Sequence, residues 1–360
     1  MIFTFVIYNF ILFGATFIAY IYEKSLFSYK RVFIFTSFFI PFLFLALRYN
    51  IGTDYNNYVD YFYKIANQEI VSKEAGYIFI NYFISYYKLD VQWLFVFFAF
   101  FYIYYGYKAL PKKGFAIGIF LFITMMYLYE GFSAIRQGLA IVIMMYAIIK
   151  YVNNIKLFLL YTFIAMLFHA ATAFVFIILY PFIKINFNKY FLIIIIFIFY
   201  LIVKYTNFHL FILEGVFSIF PKYQWYLHSK YMQPAEISSG IGIILKILIA
   251  MLVIFFKDKI IEKNQIANIV INLYVLYIIS IILHLKIMIF GRVEHIFIFA
   301  SIISLVYFFN ILEGKIKYLF IILILSIYYL FFIKYIITGT KYIDNDIYIN
   351  PYQTILERIK

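Results

Sequence analysis

The sequence predicts an all-α, polytopic membrane bundle of about twelve transmembrane helices, and three observations predict it. The chain of 360 residues is 67% hydrophobic and 25% aromatic but only 13% charged, more apolar surface than a water-soluble fold can bury. Its mean hydropathy of +0.96 is carried by long unbroken runs, such as those from Tyr190 to Tyr205 and from Tyr318 to Tyr335. At roughly 1.5 Å per residue, runs of this length come close to crossing about 30 Å of hydrocarbon. Thirdly, the basic residues behind the net charge of +14 sit in short clusters between the runs, which in a membrane protein fix topology and meet anionic lipid. No nucleic acid is expected as a partner.

The elements follow in order. The first run, 2 to 22, precedes the first basic residue, Lys24, so the positive leader of a cleavable signal is missing and the helix is expected to stay in the mature chain. The next, 32 to 47, lies between Lys30-Arg31 and Arg48. Runs at 91 to 109, 114 to 130 and 132 to 150 are punctuated by Lys108, Lys112 and Lys113 and closed by Lys150. The stretch 155 to 187 is read as two short spans, 155 to 168 and 170 to 187, meeting at His169; the competing reading is one long tilted helix. Further spans follow at 190 to 206, 239 to 256, 266 to 285, 293 to 311 and 318 to 336. With twelve spans, the clusters at 24–31, 108–113, 150–156, 184–189, 257–263 and 315–317 all fall on one side, which the positive-inside rule makes cytoplasmic.

Residues 1–360 then form one domain, with extracytoplasmic segments at 48–90 and 207–240 and an outward tail at 337–360. Both segments are too long to be mere connectors, and function is expected there. Nine tyrosines between Tyr49 and Tyr87 read as an interfacial aromatic belt on amphipathic helices, with sugar stacking as the alternative.

The outward half carries Arg48, Asp54, Glu130, Arg136, His169, Arg292 and Glu294. An ionisable group at membrane depth costs roughly 2.5–3.5 kcal/mol on insertion scales, so each needs a partner or a watery cavity. Three arginines on the side that disfavours basic residues are the sharpest anomaly. Their planar, permanently charged forks suit phosphate oxygens, and a diphosphate is the ligand they predict. The competing arrangement pairs Arg136 with Glu130 and Arg292 with Glu294, simply tying helices together.

Four blocks in order, Arg48-Tyr-Asn-Ile-Gly-Thr-Asp-Tyr-Asn-Asn-Tyr58, Ile135-Arg-Gln-Gly-Leu-Ala140, Phe168-His-Ala170 and Gly291-Arg292, resemble the EpsG family of Wzy-like polysaccharide polymerases. Beyond about Lys315 only hydrophobicity and length match. The resemblance implies a GT-C-like bundle in the bacterial cytoplasmic membrane. Its implied reaction joins undecaprenyl-diphosphate-linked oligosaccharides at the outer face, for capsule, exopolysaccharide or O-antigen. It carries over Arg48, Gly52, Thr53, Asp54, Tyr55 and Tyr58 to the first motif, Arg136 and Gln137 to the second, His169 to the third and Arg292 to the fourth. Glu294-His295 departs from the aromatic that relatives often show.

Glycosyl transfer needs charge stabilisation for the leaving diphosphate and a base for the attacking hydroxyl. The first need fits Arg48, Arg136 and Arg292; for the base Asp54 is preferred, with His169 and Glu130 next. No resident cofactor is expected, a divalent ion being left open; the partners expected are the lipid-linked oligosaccharides, membrane lipids, a chain-length regulator and a flippase. The absence of cysteine removes thiolate and zinc-thiolate chemistry, and no phosphate-binding P-loop or His-Glu-x-x-His helix is present. Gly131-Phe-Ser-Ala134 lacks the second glycine of the rhomboid-protease motif, and Asp344-Asn-Asp346 is a short tail match to a metal-binding pattern. The rival functions are a flippase of the same lipid-linked sugars and a membrane acyltransferase acting on the polymer.

Overall fold

The computed structural model describes residues 2–25, 29–69, 74–219, 224, 229–234, 240–339 and 348–358. Asp344-Asn-Asp346 and parts of 207–240 lie outside them. The described residues form two compact units, 1–179 with 313–360, and 180–312.

In the first unit, α1 (Ile2–Lys24) buries Tyr8, Ile11, Leu12, Ala15 and Ala19, the three-to-four spacing of one helix face. It pairs with α2 (Lys30–Ala46), whose Ser37 hydroxyl donates to the Ala15 carbonyl at 2.9 Å. Two short helices, α3 (Tyr55–Ala66) and α4 (Ala75–Tyr86), pack as a hairpin before α5 (Gln92–Ala109). The next helix, α6 (Phe115–Phe122), widens into a π turn at Ile123–Tyr127 and ends in the short α7 (Leu128–Glu130). Packed on α5 is α8 (Ile135–Tyr151), with Gly138 set against Tyr102 and Glu130, where no larger residue fits without displacement.

The long α9 (Ile155–Ile183) carries non-helical dihedrals at one residue, His169 (φ −154°, ψ 91°). Neither proline nor glycine lies there. The imidazole makes the break tolerable by capping the second limb: Nδ1 accepts from the Thr172 backbone N–H at 3.3 Å and lies 2.8 Å from the Thr172 hydroxyl. The break therefore falls at the histidine expected from the sequence.

The second unit holds α10 (Lys189–Tyr205), α11 (Phe208–Ile219), α12 (Ile241–Phe255), α13 (Lys257–Lys263), α14 (Ala267–His284) and α15 (Phe290–Ile311). Apolar nearly all round, α14 and α15 form its buried centre. The 184–189 turn is pinned beside them. Asn272 donates to the carbonyls of Ile183 and Ile185 at 2.9 and 2.8 Å, Lys189 pairs with Asp258 at 2.7 Å, and the Lys257 ammonium donates to Asn186 Oδ1 at 3.2 Å and to the Phe187 carbonyl. Burial pushes Lys257 down to about 8.

Helix α16 (Gly314–Thr338) returns to the first unit. Residues 348–358 then fold onto the start of α1 and the end of α2, where Ile349, Asn350 and Tyr352 are at most 3% exposed. The segment thus lies at the end of the first unit opposite its lysine clusters, packed onto the bundle with its backbone groups paired inside the unit.

Helices cover all twelve expected segments, 155–168 and 170–187 being the two limbs of α9. Among the described residues, however, α1, α9, α14, α15 and α16 alone are single helices long and apolar enough to cross a membrane, and the pair α10–α11, bent by 96°, would make a sixth. Within each unit the lysine clusters share an end. The Phe115 N–H at the start of α6 donates to Glu23 Oε1 at 2.8 Å, placing Lys24 with Lys112 and Lys113, while Lys184 and Lys189 lie with Lys257. Single cysteines after Lys113 and Lys263 should be labelled from the cytoplasmic side, and those at Asn67 and Gln233 from outside. Gln233 labelling on the same side as Lys113 would overturn the twelve-span threading.

Candidate functional site

The loop between α2 and α3 is held in an unusual shape. Asn50 and Gly52 both have positive φ (52° and 96°), and a Cβ at Gly52 would overlap the Phe132 carbonyl. Thr53 donates its backbone N–H to Ser133 Oγ at 3.1 Å. The loop thereby locks against the 131–134 turn between α7 and α8, just ahead of the second motif block and about 80 residues along the chain. Just past Thr53, Asp54 occupies the N-cap position of α3, and its side chain does not take the usual capping bond. Asn57 Nδ2 reaches Asp54 Oδ1 at 3.5 Å, and the carboxylate is half-buried at the surface.

One turn along α3, Tyr58 is buried and shares a side-chain hydrogen bond with Arg136; burial pushes its hydroxyl up to about 12, so it stays protonated. The Arg136 fork, on the first turn of α8, pairs with Glu74 at 2.5 Å and lies 4.8 Å from the Tyr77 ring centroid and 5.8 Å from that of Tyr58. Both partners remain partly accessible, with side-chain exposures of 24% and 18%. Two residues beyond Glu74, Gly76 presses on the Leu167 backbone, where a Cβ would come within 2.9 Å of the carbonyl oxygen. That contact brings the α4 terminus to the break at His169. Asp54, Tyr58, Arg136 and Glu74 thus form a polar run in the first unit, at the end opposite its lysine clusters, and the Gly76–Leu167 contact sets the His169 break beside α4.

The histidine's proton follows from its bonds. Because Nδ1 accepts from the Thr172 N–H, the neutral ring carries its proton on Nε2. In this tautomer the ring presents an Nε2–H to its surroundings.

Arg48 behaves differently. It is 1% exposed; its Nη1 donates to the Gly131 carbonyl at 2.6 Å, and its guanidinium lies 4.7 and 5.5 Å from the Phe95 and Phe132 rings. Burial pushes the guanidinium down to about 10, which leaves it charged at neutral pH. With Glu130, 0% exposed, and Tyr102 it lines a small cavity of about 10 Å³. Arg48 and Glu130 are therefore interior groups, packed among Phe95, Phe98 and Leu45. Tyr55 stacks on Phe95 at 4.7 Å and closes the same wall. Gln137 is half-buried next to Arg136.

Arg292 belongs to the second unit, exposed at the start of α15, with Nη2 3.4 Å from the Tyr231 hydroxyl and its charge over that ring at 5.0 Å. Nearby Glu294 takes Lys246 at 3.1 Å and His284 Nδ1 at 2.9 Å, joining α12, α14 and α15. The pairings of Arg136 with Glu130 and Arg292 with Glu294, weighed from sequence, are replaced by Arg136 with Glu74 and Glu294 with Lys246 and His284. Sequence reading missed Glu74 and His284. Lys246, the sole charge inside the apolar run of α12, was legible as a group needing a partner.

An apolar groove of about 580 Å³ runs along α4 and α5, lined by Phe79, Phe83, Trp93, Phe97 and Phe100. Phe97 lies 6.0 Å from Phe168, the neighbour of His169. The tyrosines of 49–87 divide: Tyr55, Tyr58 and Tyr77 are core, whereas Tyr63, Tyr82, Tyr86 and Tyr87 face outward as a belt would.

Among known families, the model described as the EpsG family matches residues 31–354. The match runs well beyond Lys315, into the folded-back tail. No curated protein and no solved structure matches the chain.

Proposed function

The chain belongs to the EpsG family, membrane proteins of polysaccharide biosynthesis, and on that premise we propose that it is a polymerase of lipid-linked repeat units. The observation that carries the reading is the run Asp54, Tyr58, Arg136 and Glu74, a carboxylate and a cation together at the end away from the lysines, with the His169 break packed against α4.

In this reading a sugar hydroxyl of one undecaprenyl-diphosphate-linked glycan attacks the anomeric carbon of another. The carbon–oxygen bond to the diphosphate breaks, its electron pair leaves with the phosphate oxygen, and the hydroxyl proton passes to Asp54. Arg136, pre-oriented by Glu74 and two tyrosine rings, meets the developing phosphate charge, and the His169 Nε2–H donates beside it. Arg48 works from beneath, holding the Gly131 turn, and Arg292 is the corresponding cation of the second unit. The aromatic groove along α4 and α5 suits a polyprenyl tail. A charged site at one end, beside an apolar groove, fits a head group with a long lipid.

The test is purified protein given undecaprenyl-diphosphate-linked repeat units: a ladder of longer lipid-linked glycans is expected, and a deletion strain should accumulate single units. Transfer of intact units across vesicles without elongation would favour a flippase. Polymer of normal length lacking acyl groups in the deletion strain would favour an acyltransferase.

A further inference from the structure

The C-terminal segment 348–358 has more structure than a tail needs. Its own anchors come first: the Tyr8 hydroxyl donates to the Ile349 carbonyl at 2.7 Å, the Tyr352 N–H to Thr4 Oγ1 at 2.9 Å, the Tyr352 hydroxyl to the Phe44 carbonyl at 2.8 Å, and Arg358 Nη1 reaches both Asp90 oxygens at 3.1 and 2.9 Å. The Tyr352 ring packs edge-on to Tyr8 with centroids 5.8 Å apart and tilted against Phe44 at 5.6 Å. So fixed, the segment engages the loop that leads to Asp54. Tyr49 and Gly52 donate their N–H groups to the carbonyls of Gln353 and Tyr348, both at 2.9 Å, and the Ile355 N–H donates to the Leu47 carbonyl at 2.8 Å. Arg48 and Thr354 form an antiparallel bridge.

These bonds flank the stretch containing both left-handed residues, Asn50 and Gly52, and the Tyr352 ring also packs edge-on to Phe132 of the 131–134 turn, with centroids 6.5 Å apart. A loop in so strained a shape keeps it only when its surroundings over-determine it. Since α3 starts at Tyr55, the direction of Asp54 follows the loop.

We propose that residues 348–358 are a positioning strap, in which Tyr352 and the Ile355 N–H act through the 47–52 loop to aim Asp54 at the attacking hydroxyl. The catalytic half of this statement rests on the polymerase reading; the mechanical half does not.

Two full-length variants test it. Tyr352→Ala removes the main anchor. Ile355→Pro removes only the N–H given to Leu47, because Ile355 opens a 3₁₀ turn, where proline fits. Each is combined with a reporter thiol in the otherwise cysteine-free chain, at Ile51 in the loop or at Ala147 in α8, both 0% exposed. Thiol labelling at position 51 should quicken about tenfold or more in both variants while position 147 stays slow. Polymerisation kcat should fall about 10- to 10²-fold with KM within about threefold, as misaimed groups lose rate and not affinity. Unchanged labelling at 51, equal quickening at 147, or a raised KM at unchanged kcat would each overturn the strap. If the parent makes no polymer, the function fails and the thiol labelling still decides the strap.

Discussion

Asparagine at Asp54 should lower polymer formation about 10²- to 10⁴-fold while leaving retention of the lipid-linked substrate intact. The amide keeps the size of the carboxylate and can still accept from Asn57, so the α3 N-terminus and the Gly52–Thr53 turn are preserved. It cannot take the proton of the attacking hydroxyl. The N-cap position sharpens the contrast: because the Asp54 side chain makes no capping bond, removing its charge leaves the helix bonds unchanged. Rates come from a purified assay, and retention from pull-down of labelled lipid by the same preparation. A rate within about threefold of the parent would take the base role from Asp54. It would pass to neither neighbour easily, since Glu130 is fully buried and the His169 Nδ1 is occupied by Thr172.

Alanine at Arg136 should lower the rate about 10²- to 10³-fold, the usual effect of removing a donor aimed at developing charge. Lysine should restore little, because a point charge cannot serve Glu74, Tyr58 and a phosphate together as the planar fork does. The single variant also removes the Glu74 ion pair, and breaking a buried pair costs roughly 3–5 kcal/mol, an upper bound here since both side chains keep some solvent. The double variant Arg136→Ala with Glu74→Gln separates the two effects. If Arg136 binds phosphate, the double variant is as inactive as the single one but more heat-resistant. Recovery of rate in the double variant would reduce Arg136 to a helix tie. Accumulation of single lipid-linked units in cells is the accompanying observation.

The sequence by itself determined the membrane class, the helical segments and the break at His169. Apolar runs and the positions of rare charges follow from the cost of placing polar groups in hydrocarbon, which acts on each segment independently of its neighbours. The first motif was legible too, because Gly52-Thr53-Asp54 is a turn signature, and so was the family, since the spacing of the arginines survives in the linear order. The tertiary structure alone decided which charges meet. Hydropathy gives the depth of a residue but not the face of the helix it occupies, so Arg136 could not be matched to Glu74, a carboxylate that reads as a solvated loop residue, nor Glu294 to Lys246 and His284 from other helices. The burial of Arg48 was equally hidden, for a guanidinium beside a span end looks accessible until Phe95 and Phe132 are folded over it. The strap was hidden most completely: Tyr352 and Ile355 lie about 300 residues from the loop they hold, and hydrogen bonds between backbone groups leave no trace in side-chain chemistry.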